Sequence, residues 1–150
     1  MKINDDLERI NDQAVNIVQR AQVLNTMPLL KPLIDIPRMG DLAQNMVKDA
    51  LDAFVRRDVD LAKEVGKSDE QLDGLRDQIF RELITHMHGA TGRPDMIDRA
   101  IYLILVSRHL ERIGDNASNI AENVSYLVDG YIVRHQKEDW WEERGDQSDV

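Results

Sequence analysis

Two stretches of this chain carry nearly the same text. Leu7-Glu8-Arg9-Ile10-Asn11-Asp12-Gln13-Ala14-Val15-Asn16-Ile17-Val18-Gln19 and Leu110-Glu111-Arg112-Ile113-Gly114-Asp115-Asn116-Ala117-Ser118-Asn119-Ile120-Ala121-Glu122 agree at eight of thirteen positions without a gap. Any amphipathic helix could repeat Leu and Ile. Repetition of Glu-Arg, Asp and Asn at fixed offsets marks an internal repeat. In the second copy Leu110, Ile113, Ala117, Ile120, Val124 and Leu127 recur at steps of three and four, so they share one helical face. A chain that repeats such a face has to pack helices side by side to cover it.

The remaining segments fit that demand. Ile3, Leu7, Ile10, Ala14, Ile17 and Ala21 give a first helix over about 3–24. Residues 25–37 hold three of the four prolines, so no regular helix crosses them, and their Met, Leu and Ile content predicts a buried connector. Met39, Leu42, Ala43, Met46, Val47, Ala50, Leu51 and Phe54 mark a second helix over about 38–56, and Asp58 is placed to cap the next. The third runs from about Val59 to Met87, with a polar break in its seam at Ser68 or Asp69. Gly89 to Pro94 is a loop. The fourth helix starts at Pro94 or Asp95 and ends near Val128, where Gly130 can stop it. Its segment Ile101 to Val106 is apolar all round, which predicts cover on both sides. The acidic tail 136–150, with Trp140-Trp141 as its sole hydrophobic feature, is expected to be disordered. The fold class expected is all-α: an antiparallel three-helix bundle with an extra N-terminal helix.

Charge narrows the partners. The net charge of -9 disfavours nucleic acid and anionic membrane, and favours cations. The absence of Cys excludes thiol chemistry and thiolate metal sites. No apolar run reaches membrane-spanning length, and the expected compartment is the cytosol.

The candidate chemistry is carboxylate. Glu111 and Asp115 project from one helical face one turn apart, and Glu8 and Asp12 repeat the arrangement. Alone, such a pair is most often a solvated face. Asp69 and Asp73 form a third pair, and antiparallel packing can bring it beside Glu111 and Asp115. Four carboxylates meeting across two helices repel unless a cation lies between them. Oxygen-only ligands suit Mg²⁺, Ca²⁺, Mn²⁺ or oxidised iron. No Glu-x-x-His pair, P-loop, dinucleotide turn or His-Glu-x-x-His is present, so di-iron carboxylate and nucleotide chemistry are set aside and no catalytic residue is assigned. His109 is a candidate phosphoacceptor, which gives the alternative reading of a histidine phosphotransfer or dimerisation module. A packed imidazole is the plainer reading of the same residue.

The run Ser107-Arg108-His109-Leu110-Glu111-Arg112-Ile113-Gly114-Asp115-Asn116-Ala117-Ser118-Asn119-Ile120-Ala121-Glu122, followed by Tyr126-Leu127-Val128-Asp129-Gly130 and Arg134-His135, closely resembles the PhoU family of bacterial phosphate-uptake regulators. The resemblance covers roughly Asp6 to His135. It implies that 38–130 is a second three-helix repeat and that 3–24 is the last helix of a first repeat whose earlier helices are absent. It implies metal ligands at Glu111 and Asp115 with Asp69 and Asp73, and a matching first-repeat motif at Glu8 and Asp12. The metal would be iron, or Mn, Mg, Zn or Ca. It further implies a cytoplasmic, non-enzymatic negative regulator linking the phosphate ABC transporter ATPase to a sensor histidine kinase. Membrane contact would then be indirect. The uncovered apolar face of the first helix is expected to pack on its own bundle or on a second copy in a homodimer.

Overall fold

The computed structural model describes residues 2–30, 35–90 and 92–145, with 131–145 described by backbone alone. Four helices follow in order: α1 (Lys2–Leu24), α2 (Asp35–Arg56), α3 (Val59–His88) and α4 (Pro94–Gly145). No strand occurs among the described residues, so the all-α reading holds.

Local chemistry sets the turns. Arg57 takes a left-handed φ of 54° directly after α2. The Asp58 side chain then accepts the Leu61 amide at 3.0 Å, which caps α3 as its sequence suggests. This two-residue reversal makes α2 and α3 an antiparallel hairpin. α2 begins at Asp35, earlier than the sequence suggests, because Pro37 falls in the first turn where its missing N–H costs nothing. The connector is not buried as expected over 25–30: Leu29 is 76% exposed, and only Met27 and Leu30 are partly covered. Residues 31–34 lie outside the described residues. Arg99 of α4 ties this stretch down by donating to the Pro28 carbonyl at 2.8 Å, while its other arm pairs with Asp95.

Met39, Ala43, Met46, Ala50 and Ala53 of α2 pack against Ala62, Val65, Leu72, Ile79 and Leu83 of α3. α4 closes this core with Leu103, Val106, Leu110, Ile113, Ala117, Ile120 and Val124. Burying a large side chain of this kind is worth about 1.5–3 kcal/mol.

α1 packs against α4. Successive contacts run in opposite directions along the two helices: Asp6 meets Asn119, Gln13 meets His109, and Arg20 stacks over Tyr102. They are therefore antiparallel, and α1 covers the side of α4 turned away from the hairpin. The face it uses is the expected apolar one, with Ile3 buried and Leu7, Ile10 and Ile17 packed on the core, broadened to take in Asp6, Gln13 and Arg20; Ala14 alone of the expected stripe is exposed.

Two expectations for α4 are corrected. Ile101 is 43% exposed, so the apolar segment is not covered all round. Gly130 does not end the helix: the helical backbone continues to Gly145. Gly130 lacks the positive φ of a helix-stopping cap, and a glycine inside a helix costs only about 1 kcal/mol relative to Ala. Residues 146–150 lie outside the described residues. No described helix is long and apolar enough to cross a membrane.

Candidate metal centre

The hairpin and α4 meet most closely at Gly114. A Cβ built there would overlap the Leu72 side chain, and would lie 3.4 Å from Met46 Cε and 3.5 Å from Asp69 Oδ1. Met46 and Leu72 are fully buried, so these three residues form one sealed layer of core. The missing side chain at Gly114 lets α3 approach α4 closely beside this layer, and Asp69 rides in with it.

The result is a cluster of Asp69, Asp73 and Asp115, each offering one carboxylate oxygen, all within 4.8 Å of one another. Asp69 and Asp73 come from successive turns of α3, and Asp115 comes from α4. The polar break in the α3 seam is thus where the acids cross. Asp69 Oδ1 and Asp73 Oδ1 are buried and have no hydrogen-bond partner. Burial pushes the Asp69 carboxyl up to about 6, with the charges of Asp115, Asp73 and Glu111 adding to it. Ser118 sits near enough to oppose this weakly, although its hydroxyl falls short of hydrogen-bond geometry. Burial also raises Asp73 and Asp115 above the ordinary carboxylate range, with Glu111 pushing both the same way.

Glu111, the fourth carboxylate expected here, is held differently. It is paired with Arg76 of α3, which also donates to Asp77 at 2.9 Å. These bonds raise the Arg76 pKa well above its ordinary value. Arg76 follows Asp73 by three residues and so shares its face, a signal that was readable in the sequence. Gly114, lying between Ile113 and Asp115, was readable in the same way. Glu8 and Asp12 are exposed on α1, and no group of three candidate ligands forms around them among the described residues.

A metal fits the residues present. Two oxygens bound to one Ca²⁺ at 2.3–2.6 Å can stand about 5 Å apart, which matches the spread of the three ligands. The donor set is hard oxygen throughout, and two of its buried atoms lack any other partner. Asp69, Asp73 and Asp115 would hold the ion, and Glu111 would join only by releasing Arg76.

His109 does not present itself as a phosphoacceptor. It is buried between α4 and α1, and its Nδ1–H donates to Gln13 Oε1 at 2.7 Å. Its Nε2 is enclosed without a partner. Burial, with Arg112, Arg20 and Arg108 nearby, lowers its pKa. The packed imidazole is what this geometry describes.

A PhoU domain model matches residues 36–124, which are α2 but for its first residue, all of α3 and the clustered part of α4. The chain belongs to the PhoU family. Among its relatives is the "Phosphate-specific transport system accessory protein PhoU homolog" of Zymomonas mobilis, 41% identical over 130 residues, which are 87% of this chain and 54% of that protein. The protein of the same name from Aquifex aeolicus is 44% identical over 135 residues, 90% of this chain and 60% of that one. The crystal structure of PhoU from Pseudomonas aeruginosa superposes with a TM-score of 0.79 at 42% identity, covering 86% of this chain and 61% of that chain. The chain therefore spans little more than half the length of the PhoU relatives it matches, while carrying the family's bundle and the acidic crossing.

Proposed function

We propose that this chain is a regulatory PhoU module of the phosphate-specific transport system: a cytoplasmic, non-enzymatic negative regulator that binds the transporter ATPase and the sensor histidine kinase, and whose bundle carries a carboxylate cation site. The observation that carries this reading is the Asp69–Asp73–Asp115 cluster, built across two helices inside the family-matching region, with buried oxygens that lack partners. The names of the relatives support the link to phosphate transport. A bound cation would fasten α3 to α4 and so set the shape of the surface offered to partners. Exposed Val15 and Val18 on the outer face of α1 support association with a second copy.

The test is elemental analysis of the purified chain and of the Asp69→Asn/Asp115→Asn variant, followed by capture assays with the ATPase and the kinase, and light scattering. Metal in the wild type and none in the variant is expected, with both partners captured. A chain that takes up no Mn, Fe, Mg, Zn or Ca at saturation would remove the cation site from the reading. Failure to capture either partner would remove the adaptor role.

A further inference from the structure

Where the start of α1 packs on α4, the two helices leave a cavity of about 380 Å³, lined by Lys2, Asp5, Asp6, Arg9, Asn119 and Glu122. Asp6 differs from the other charged residues there. It is 5% exposed, whereas Lys2, Asp5, Arg9 and Glu122 are all exposed. Its Oδ1 accepts from Asn119 Nδ2 at 3.4 Å, longer than the usual range of about 2.7–3.2 Å for such a bond. No other hydrogen bond and no ion pair reaches its carboxylate among the described residues. Lys2 and Arg9 stand one turn before and one turn after Asp6 on the same helix, yet neither pairs with it. An ionised carboxylate withdrawn from water is ordinarily held by a cation or by several hydrogen-bond donors. Here one neutral amide serves, and the rest of the carboxylate's acceptor capacity opens on the cavity.

Charge selects the sign of an occupant. Three carboxylates stand against two basic groups around the cavity, on a chain of net charge -9. Geometry selects its kind. A metal ion needs several oxygens converging on one point. Asp5, Asp6 and Glu122 do not converge in that way, and among the described residues the group that does is Asp69, Asp73 and Asp115. A cation that brings its own donors and needs a single carboxylate is an alkylammonium, with three N–H groups. Tyr126 also lines the cavity and offers an aromatic surface to the methylene chain, while Glu122 is available for a second charge.

We propose that this cavity binds a primary alkylammonium group, which donates to the Asp6 carboxylate and fastens the start of α1 to α4. The group arrives on a small free diamine or on a lysine side chain of another protein. The site shares no residue with the Asp69–Asp73–Asp115 cluster, so it stands whether or not that cluster takes a metal.

The experiment is isothermal titration of the full chain at constant ionic strength with butylamine, putrescine, Nα-acetyl-lysine methylamide and tetramethylammonium, the last carrying charge without an N–H. Amide NMR spectra locate the contact. Wild type and Asp6→Asn are compared after circular dichroism confirms equal helicity. Butylamine should bind, with shifts centred on residues 2–9 and 119–126. Tetramethylammonium on wild type, and butylamine on Asp6→Asn, should bind weaker by roughly tenfold or more. The thermal midpoint gives a second readout: butylamine should raise that of wild type and leave that of the variant unchanged. Putrescine tighter than the lysine derivative supports a free amine as the ligand, and the reverse order supports a lysine side chain. Equal binding by Asp6→Asn, equal binding of tetramethylammonium, shifts centred elsewhere, or no binding of any amine overturns the site.

Discussion

Replacing Asp69 by Asn is expected to make the cation-free protein more stable at pH 8 while removing its cation site. The ionised Asp69 carboxylate is held in a place where burial and three neighbouring carboxylates oppose its charge, which raises it from 3.8 to about 6. At about 1.4 kcal/mol per pH unit, that displacement corresponds to roughly 3 kcal/mol, and partial solvation brings it to roughly 2 kcal/mol. The sign follows from linkage. A carboxyl whose folded pKa is raised binds more protons in the folded than in the unfolded state. Its contribution is therefore full below about pH 4 and is lost as pH rises through about 6. The assay is urea unfolding at pH 5 and pH 8 in chelator, for wild type and Asp69→Asn. His109 has a lowered pKa and so pulls stability the opposite way over the acidic side of this window. His109 is common to both proteins, so the difference between them reports Asp69 together with its repulsion of Asp73 and Asp115. The variant should gain roughly 2 kcal/mol over wild type at pH 8, about half of that at pH 5 and little at pH 4. Saturating Mn²⁺ at pH 8 should then stabilise wild type and leave the variant unmoved. An equal pH dependence in both proteins would refute the reasoning, as would a variant less stable than wild type at pH 8.

Three further perturbations test the frame around the cluster. Gly114→Ala drives a methyl into the end of the Leu72 side chain, which must shift within a fully buried layer, so a loss of roughly 1–3 kcal/mol in urea unfolding is expected, together with weaker cation uptake as α3 and α4 part. An unchanged unfolding midpoint would contradict the close approach. Arg99→Ala removes bonds to Pro28 and Asp95, so hydrogen exchange over 25–30 should speed up and stability should fall by roughly 2 kcal/mol; protection left intact there would show that the arginine does not hold the connector. Removal of Gln13 by Gln13→Ala leaves both nitrogens of buried His109 without a partner, so roughly 1–2 kcal/mol should be lost and α1 should exchange faster, with α3 unaffected. Equal acceleration in α1 and α3 would mean that α1 does not open separately.

The helices were legible in the sequence because their apolar spacing is strong where it is buried on one side. α2 and α3 follow their Met, Leu, Ile and Ala stripes, and Asp58 caps where it was expected to. The acidic crossing was legible in part. Two acid pairs on neighbouring antiparallel helices could pass close to each other, and Asp69, Asp73 and Asp115 do so. Spacing alone did not show which carboxylate a nearby cation would claim, and Glu111 went to Arg76. The reading of α1 was limited for a different reason. A hydrophobic stripe assumes an apolar partner, but the facing side of α4 offers Asn119, His109 and Tyr102. Asp6, Gln13 and Arg20 therefore turn inward, and Ala14 turns out. The end of α4 was missed because glycine was read as a stop, whereas it stops a helix only where the chain turns left-handed, and Gly130 does not.

The shared role of α4 also bears on which length changes the chain can absorb. One added residue in a helix rotates everything beyond it by about 100° and advances it about 1.5 Å. An insertion in α4 between Arg99 and His109 would turn His109 away from Gln13 and Asp115 away from Asp73 in a single event, since both are counted along the same helix. An insertion in the loop between Gly89 and Pro94 would leave each of those registers intact. Alleles that differ in length should therefore vary in that loop and in the stretch before Asp35. The interior of α4, from Arg99 through Val124, should keep one fixed length.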